Sequence, residues 1–242
     1  MQRTHHVWYS PRLEHDMGVA VFGHWGQPLL AFPTSHGDEW ELERQGLIDA
    51  IADFIEAGRV KVFTVGSNNH ESFMNDSAHP LHRSWRQRLF DEYVREEVLP
   101  FVEDHCRSPG LAMAATGVSL GAYHAANTLF HAPHRVKRCY ALSGIYDLRR
   151  FMGGMYDDNF YFQNPVDYVA GLSDPWLLEQ LASCEIRLVT GSGPFEDCGY
   201  SYALSGVLAR RGIRHQVDDW GPRGGHDWPY WKMQLRDYLS RW

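Results

Sequence analysis

The sequence predicts an α/β fold with a mostly parallel central sheet and helices on both faces, and three observations carry that expectation. Short apolar runs of strand length alternate with stretches of helical spacing along most of the chain. One such run leads directly into Gly117-Val118-Ser119-Leu120-Gly121, and a helix-like stretch follows at once. The 242 residues contain no internal repeat, low-complexity tract or Pro/Gly/Ser linker, which suits a single domain spanning 1–242.

In order, His6 to Tyr9 and Met17 to Phe22 read as an opening antiparallel strand pair. Pro28 to Phe32 is a short buried strand ended by Pro33. Leu42 to Glu56 has helical spacing at Leu47, Ile48, Ile51, Phe54 and Ile55, with Gly58 as its stop. Val60 to Val65 is the next strand. Ser84 to Cys106 reads as a long helix kinked or broken at Pro100, because proline lacks the N–H that a helix interior needs. Leu111 to Thr116 is a strand, Ala122 to Phe130 a helix, Val136 to Leu142 a strand and Ile186 to Thr190 another. Tyr202 to Arg210 is a helix stopped by Gly212, His215 to Trp220 a last strand and Trp228 to Trp242 a closing helix. Residues 145–183 break the alternation and read as an excursion near the sheet edge.

Bulk composition narrows the function classes. An apolar share of 44% is enough for a sizeable core, and the 14% of aromatics, nine Trp among them, is enough to line a pocket as well. The formal charge of −7, with its basic residues scattered, argues against a nucleic-acid or anionic-membrane partner. The four cysteines form no C-x-x-C pair, which speaks against structural zinc. The first residues lack the apolar stretch of a secretory signal, and no segment has the length of a membrane span. These features suggest a reduced, cytoplasmic, soluble protein; a homo-oligomer is left open.

The chemistry concentrates at three points. Gly117-Val118-Ser119-Leu120-Gly121 fits G-x-S-x-G in the strand–turn–helix setting where flanking glycines let a serine hydroxyl project above a sheet, with a helix N-terminus beneath it. His226, in Gly224-Gly225-His226-Asp227-Trp228, follows the last strand, where a general base converges with that serine. Between them in chain order, after Ile186 to Thr190, stand Glu196 and Asp197, either of which could orient the histidine; Asp218 and Asp219 are weaker rivals. An oxyanion hole would draw one N–H from Leu120 and another from the Pro33-to-Gly37 loop, from Ser35 or its neighbour Thr34. His36, Asp38 and Glu39 follow no recognised metal-ligand spacing, and His124 suits a packed helix position better than a second base. Tyr156, Phe160, Tyr161, Phe162 and Trp176 either wall a substrate pocket or anchor the excursion to the core. With Asp147, Asp157, Asp158 and Asp167 beside them, such a wall would favour neutral esters over anionic ones.

On these segments the chain resembles the putative-esterase family of α/β-hydrolases, relatives of S-formylglutathione hydrolase, the mycolyltransferases and the enterochelin esterases. The resemblance spans nearly the whole chain. It is most specific from Gly117 to Asn127, at Gly193-Pro194-Phe195-Glu196-Asp197, and from Trp220 to His226-Asp227-Trp228. It implies a Ser–acid–His triad with no cofactor and no metal. In the resembling branch a Glu follows an aromatic residue in the acid loop, which selects Glu196 over Asp197. The oxyanion loop departs from the family, since Pro33-Thr34-Ser35 stands where many relatives are Gly-rich. The expectation is therefore a serine carboxylic-ester hydrolase with a small-molecule ester as its partner. The alternatives are an acyltransferase using the same residues and a non-catalytic binding protein of the same fold.

Overall fold

Strands buried on both faces must be apolar at nearly every position, and the middle of this sheet shows it. In the computed structural model, which describes residues 1–242, β4 (Val60–Val65) and β5 (Met113–Val118) are buried at all six positions. They belong to one eight-stranded sheet with β1 (Arg3–Ser10), β2 (His15–Phe22), β3 (Gln27–Phe32), β6 (Val136–Leu142), β7 (Glu185–Thr190) and β8 (Gln216–Asp219). The order across the sheet is β1-β2-β4-β3-β5-β6-β7-β8. The pairs β1–β2 and β2–β4 are antiparallel and the rest parallel. This is an α/β-hydrolase-like fold with a mixed, mostly parallel sheet flanked by helices.

Alternation along the strands gives each face its own core. Leu30, Phe32, Phe63 and Val65 pack on one side with α4 (Pro80–Tyr93), α5 (Leu99–Cys106), α6 (Leu120–His131) and α10 (Gly199–Arg210). Leu29, Ala31 and Val62 pack on the other, under Leu47, Ile51 and Ile55 and under Trp231, Leu235 and Tyr238 of α11 (Trp228–Ser240). The edge strand β8 is short and carries Asp218 and Asp219, which discourages pairing with a further strand.

Two helices differ from expectation for backbone reasons. The single helix over Leu42 to Glu56 is three short ones, α1 (Glu41–Arg44), α2 (Leu47–Ala50) and α3 (Ala52–Glu56): Gly46 takes a left-handed φ of 74° between the first two, and Ile51 leaves the helical region, at φ −120° and ψ 12°, between the second and third. The Pro100 break becomes a π turn at Val94–Val98 that joins α4 to α5, with Leu99 N–H donating to Val94 O. Between β6 and β7, the excursion holds a 3₁₀ turn (Arg149–Phe151), α7 (Asp158–Tyr161), α8 (Pro165–Gly171) and α9 (Pro175–Ala182). No helix is long and apolar enough to cross a membrane.

Candidate active site

Ser119 sits at the carboxyl end of β5, between β3 and β6, since Gly117 pairs with Phe32 on one side and Ala141 on the other. Its φ of 57° and ψ of −123° lie outside the regions that non-glycine residues favour, a strain of about 1–3 kcal/mol. The flanking glycines make the turn sterically feasible. A Cβ on Gly117 would stand 2.1 Å from the Gly121 carbonyl oxygen, and one on Gly121 would stand 2.2 Å from the Pro33 oxygen. The second contact also brings the loop after β3 against the start of α6. Ser119 N–H donates to Leu142 O at 3.0 Å, which fixes the turn.

The loop after β8 brings His226 to this serine, with Nε2 2.9 Å from Ser119 Oγ. That loop is zipped to the loop after β7: Gly193 N–H donates to Gly224 O at 2.8 Å and His226 N–H to Pro194 O at 2.9 Å. Glu196 is delivered from the second loop. Its side chain is 2% exposed, its Oε1 accepts from the Thr190 hydroxyl at 2.9 Å, and its Oε2 lies 3.8 Å from His226 Nδ1. That distance is longer than a hydrogen bond, and the buried Oε2 has no other hydrogen-bond partner. Asp197 points elsewhere: it accepts from Gly199 N–H at 2.9 Å and caps the start of α10. Asp218 is held by Tyr238 and Arg187, and Asp219 by Tyr202. Burial lowers the His226 pKa from the ordinary histidine value, partly offset by the charges of Glu196 and Asp227. The order hydroxyl, imidazole, carboxylate can pass a proton from Oγ to Nε2 and stabilise the imidazolium that results.

Leu120 is the first residue of α6, so its N–H has no helical carbonyl one turn behind it. In the loop after β3, Thr34 N–H is already committed to Glu41 Oε2 at 2.7 Å, with the Thr34 hydroxyl on Oε1 at 2.8 Å. Ser35 N–H has no acceptor within the chain. Glu41, Thr190, and Trp231 (which borders the His226 ring and donates to Ser143 Oγ at 2.9 Å) are supports that the sequence reading missed. No local motif marks them. His124 is buried, its Nε2–H donates to Asn69 Oδ1 at 2.8 Å, and burial pushes its pKa down to about 3. It is a neutral packed residue rather than a base.

A cavity of about 600 Å³ opens between the loops after β3 and β4, with Ser35 in its wall. The wall carries three imidazoles (His15, His36 and His70) and four carboxylates (Asp16, Asp38, Glu39 and Glu71). No three His, Cys, Asp or Glu side chains there or elsewhere converge as metal ligands would. The aromatics of the excursion divide. Phe160 is fully buried against Phe73, Leu120 and Tyr123, while Phe162 is 55% exposed. Trp176 lies on His134, before β6 and so at the opposite sheet edge from Ser119. Phe160→Ala should therefore cost about 3–5 kcal/mol of stability, against under about 1 kcal/mol for Phe162→Ala. Chemical denaturation of both variants measures the difference, and equal losses would contradict the packing described.

Over residues 30–241 the chain matches the family model described as "Putative esterase". A comparison with curated proteins finds no match. Among solved structures it is similar to a ferulic acid esterase, at 17% identity and a TM-score of 0.74 over 99% of this chain and 98% of that one. It is also similar to an S-formylglutathione hydrolase from Agrobacterium tumefaciens, at 13% identity and TM-score 0.72 over 99% and 93%. A fluorophosphonate-binding serine hydrolase of Staphylococcus aureus follows, at 16% identity and TM-score 0.69 over 99% and 97%. At such identities the likeness is one of fold.

Proposed function

The chain belongs to the putative-esterase family, and from that premise we propose that it is a serine carboxylic-ester hydrolase acting through an acyl-enzyme on small neutral esters. The observation that carries this reading is the 2.9 Å approach of His226 Nε2 to the hydroxyl of Ser119, a serine held at positive φ between a buried strand and a helix.

Ser119 Oγ attacks the ester carbonyl as His226 Nε2 takes its proton. The tetrahedral oxyanion is held by the N–H groups of Leu120 and Ser35, the latter preferred to Thr34 because the Thr34 N–H is occupied by Glu41. The imidazolium gives its proton to the departing alkoxide, which leaves as the alcohol, and the acyl group stays on Oγ. Water then attacks, losing a proton to His226, and the same proton returns to Oγ as the acid leaves. Glu196 faces the other ring nitrogen and stabilises the imidazolium of each half-reaction, closing the remaining gap as charge develops there.

The formal charge of −7 and the Asp16 carboxylate, unpaired in the cavity beside Ser35 where Asp38 and Glu71 are neutralised by Arg44 and Arg86, support the preference for uncharged substrates. Hydrolysis of a series of aryl esters tests the reading: acetate to hexanoate esters should turn over, and the hemisuccinate should be slower than its neutral counterparts of equal length. No turnover of any neutral ester would overturn the esterase assignment. The pH dependence is set by His226, which acts as a base only when neutral. Because burial lowers its pKa, kcat/KM should rise with pH through an inflection below the ordinary histidine value and be level at neutrality. A profile that falls from acid to neutral pH contradicts that role.

A further inference from the structure

At the amino ends of the parallel strands, across the sheet from Ser119, lies a second cavity of about 620 Å³. It forms where β3, β4 and the end of α5 meet. Its wall contains Arg59, Lys61 and Arg107, with His24 and His105, and not one Asp or Glu. In a chain of formal charge −7 this concentration of one sign is unusual. None of the three cations forms an ion pair with a side-chain carboxylate. Arg59 is fixed through Nη2 to the main-chain oxygens of Leu239 and Trp242, at 3.1 and 2.6 Å.

Lys61 is the informative residue. It is the second residue of β4 and only 8% exposed, and nothing in the chain accepts a hydrogen bond from its ammonium group. Its stem is covered while the ammonium group, 5.9 Å from the Phe63 ring centroid, opens on the cavity with no carboxylate to pair with, so it presents an unneutralised charge to an anion from outside. Burial, and then the Lys61 charge, lowers the pKa of His105, as expected beside positive charge that is not neutralised. The terminal carbonyls of α5, which would oppose an anion here, are capped at Asp104 and Glu103 by the N–H groups of Arg107 and Ser108, each at 3.0 Å. Trp25, 71% exposed, stands on the cavity wall with its ring free.

We propose that this cavity is a second ligand site, separate from the ester-cleaving one, that binds an organic anion: a phosphate or carboxylate group on Lys61 and Arg107, with a planar ring laid on Trp25. The volume is that of a pocket for a small organic molecule. The charges supply the attraction, and an exposed indole supplies a stacking face.

Calorimetric titration with adenosine monophosphate and with benzoate tests this, using adenosine and inorganic phosphate as the ring-only and anion-only probes. Adenosine monophosphate, benzoate or both should bind with a dissociation constant below about 1 mM, and adenosine should not. Lys61→Met, which keeps the buried stem, should weaken that binding by about tenfold or more. Arg107→Gly should do likewise, and glycine suits the φ of 51° there, so this variant keeps the fold even if the first does not. Ester hydrolysis should be unchanged in both variants, which reports the intact fold and keeps this test independent of the Ser119 site. No binding of either ring-bearing anion, or unaltered binding in Arg107→Gly, overturns the proposal. Inorganic phosphate binding as tightly as the ring-bearing anions overturns the role of Trp25.

Discussion

Ser119→Ala should lower kcat for neutral aryl esters by about 10⁵- to 10⁶-fold, the largest effect expected of any single change in this chain. The nucleophile is lost, but the Leu120 and Ser35 N–H groups and the substrate cleft remain. A residual rate on the order of 10³ above the uncatalysed reaction should therefore survive. Alanine inherits the strained φ of 57° without relieving it, so unfolding free energy should stay within about 1 kcal/mol of wild type. Steady-state kinetics together with denaturant unfolding separate loss of chemistry from loss of fold. A well-folded Ser119→Ala protein with near-normal turnover would remove the basis of the mechanism.

Glu196→Gln should lower kcat by about 10³- to 10⁴-fold, while Asp197→Asn should change it by less than about twofold. The contrast follows from what each carboxylate touches. With one oxygen held by Thr190, the other faces His226 Nδ1; a glutamine there presents an N–H₂ to that nitrogen and favours the tautomer that leaves Nε2 protonated, unable to act as base. Asp197 accepts from a helix-terminal N–H, which an asparagine oxygen can also do. The pH profile adds a sign that a merely structural defect would not produce. The Glu196 charge raises the His226 pKa against its burial, so removing it should move the inflection of the residual activity further down in pH. The reverse ranking of the two variants would transfer the acid role to Asp197.

Much of this frame was legible because its determinants are local. Continuous apolar runs such as Val60 to Val65 cannot avoid the interior, so the parallel strands and their order of alternation with helices could be read directly. The elbow was legible because both of its glycines answer a close backbone approach. Where an outcome depended on a distant neighbour, the sequence was mute. At Glu196 and Asp197 only the family resemblance at Phe195-Glu196 favoured one carboxylate; Thr190 and the interlocked glycine loops, which turn Glu196 inward, lie outside that stretch. The choice between Thr34 and Ser35 rests on Glu41, seven residues on, which occupies one N–H and leaves the other free. The break at Gly46 was hidden because the apolar spacing continues across it. The aromatic excursion could not be sorted into core and surface until Phe73 and Tyr123 were seen to enclose Phe160 but not Phe162. The cationic cavity was invisible for the same reason, its lining being gathered from four stretches of chain between His24 and Leu111.

Covalent labelling tests whether Ser119 is the activated nucleophile without knowledge of the natural substrate. The protein would be treated with a fluorophosphonate, digested, and its adducts located by mass spectrometry. The expected result is one modified residue, Ser119, with labelling that is at least about a hundredfold slower in His226→Ala, since the hydroxyl then has no base. A folded protein that takes up no label, or that is labelled at another serine while Ser119 stays unmodified, would contradict it.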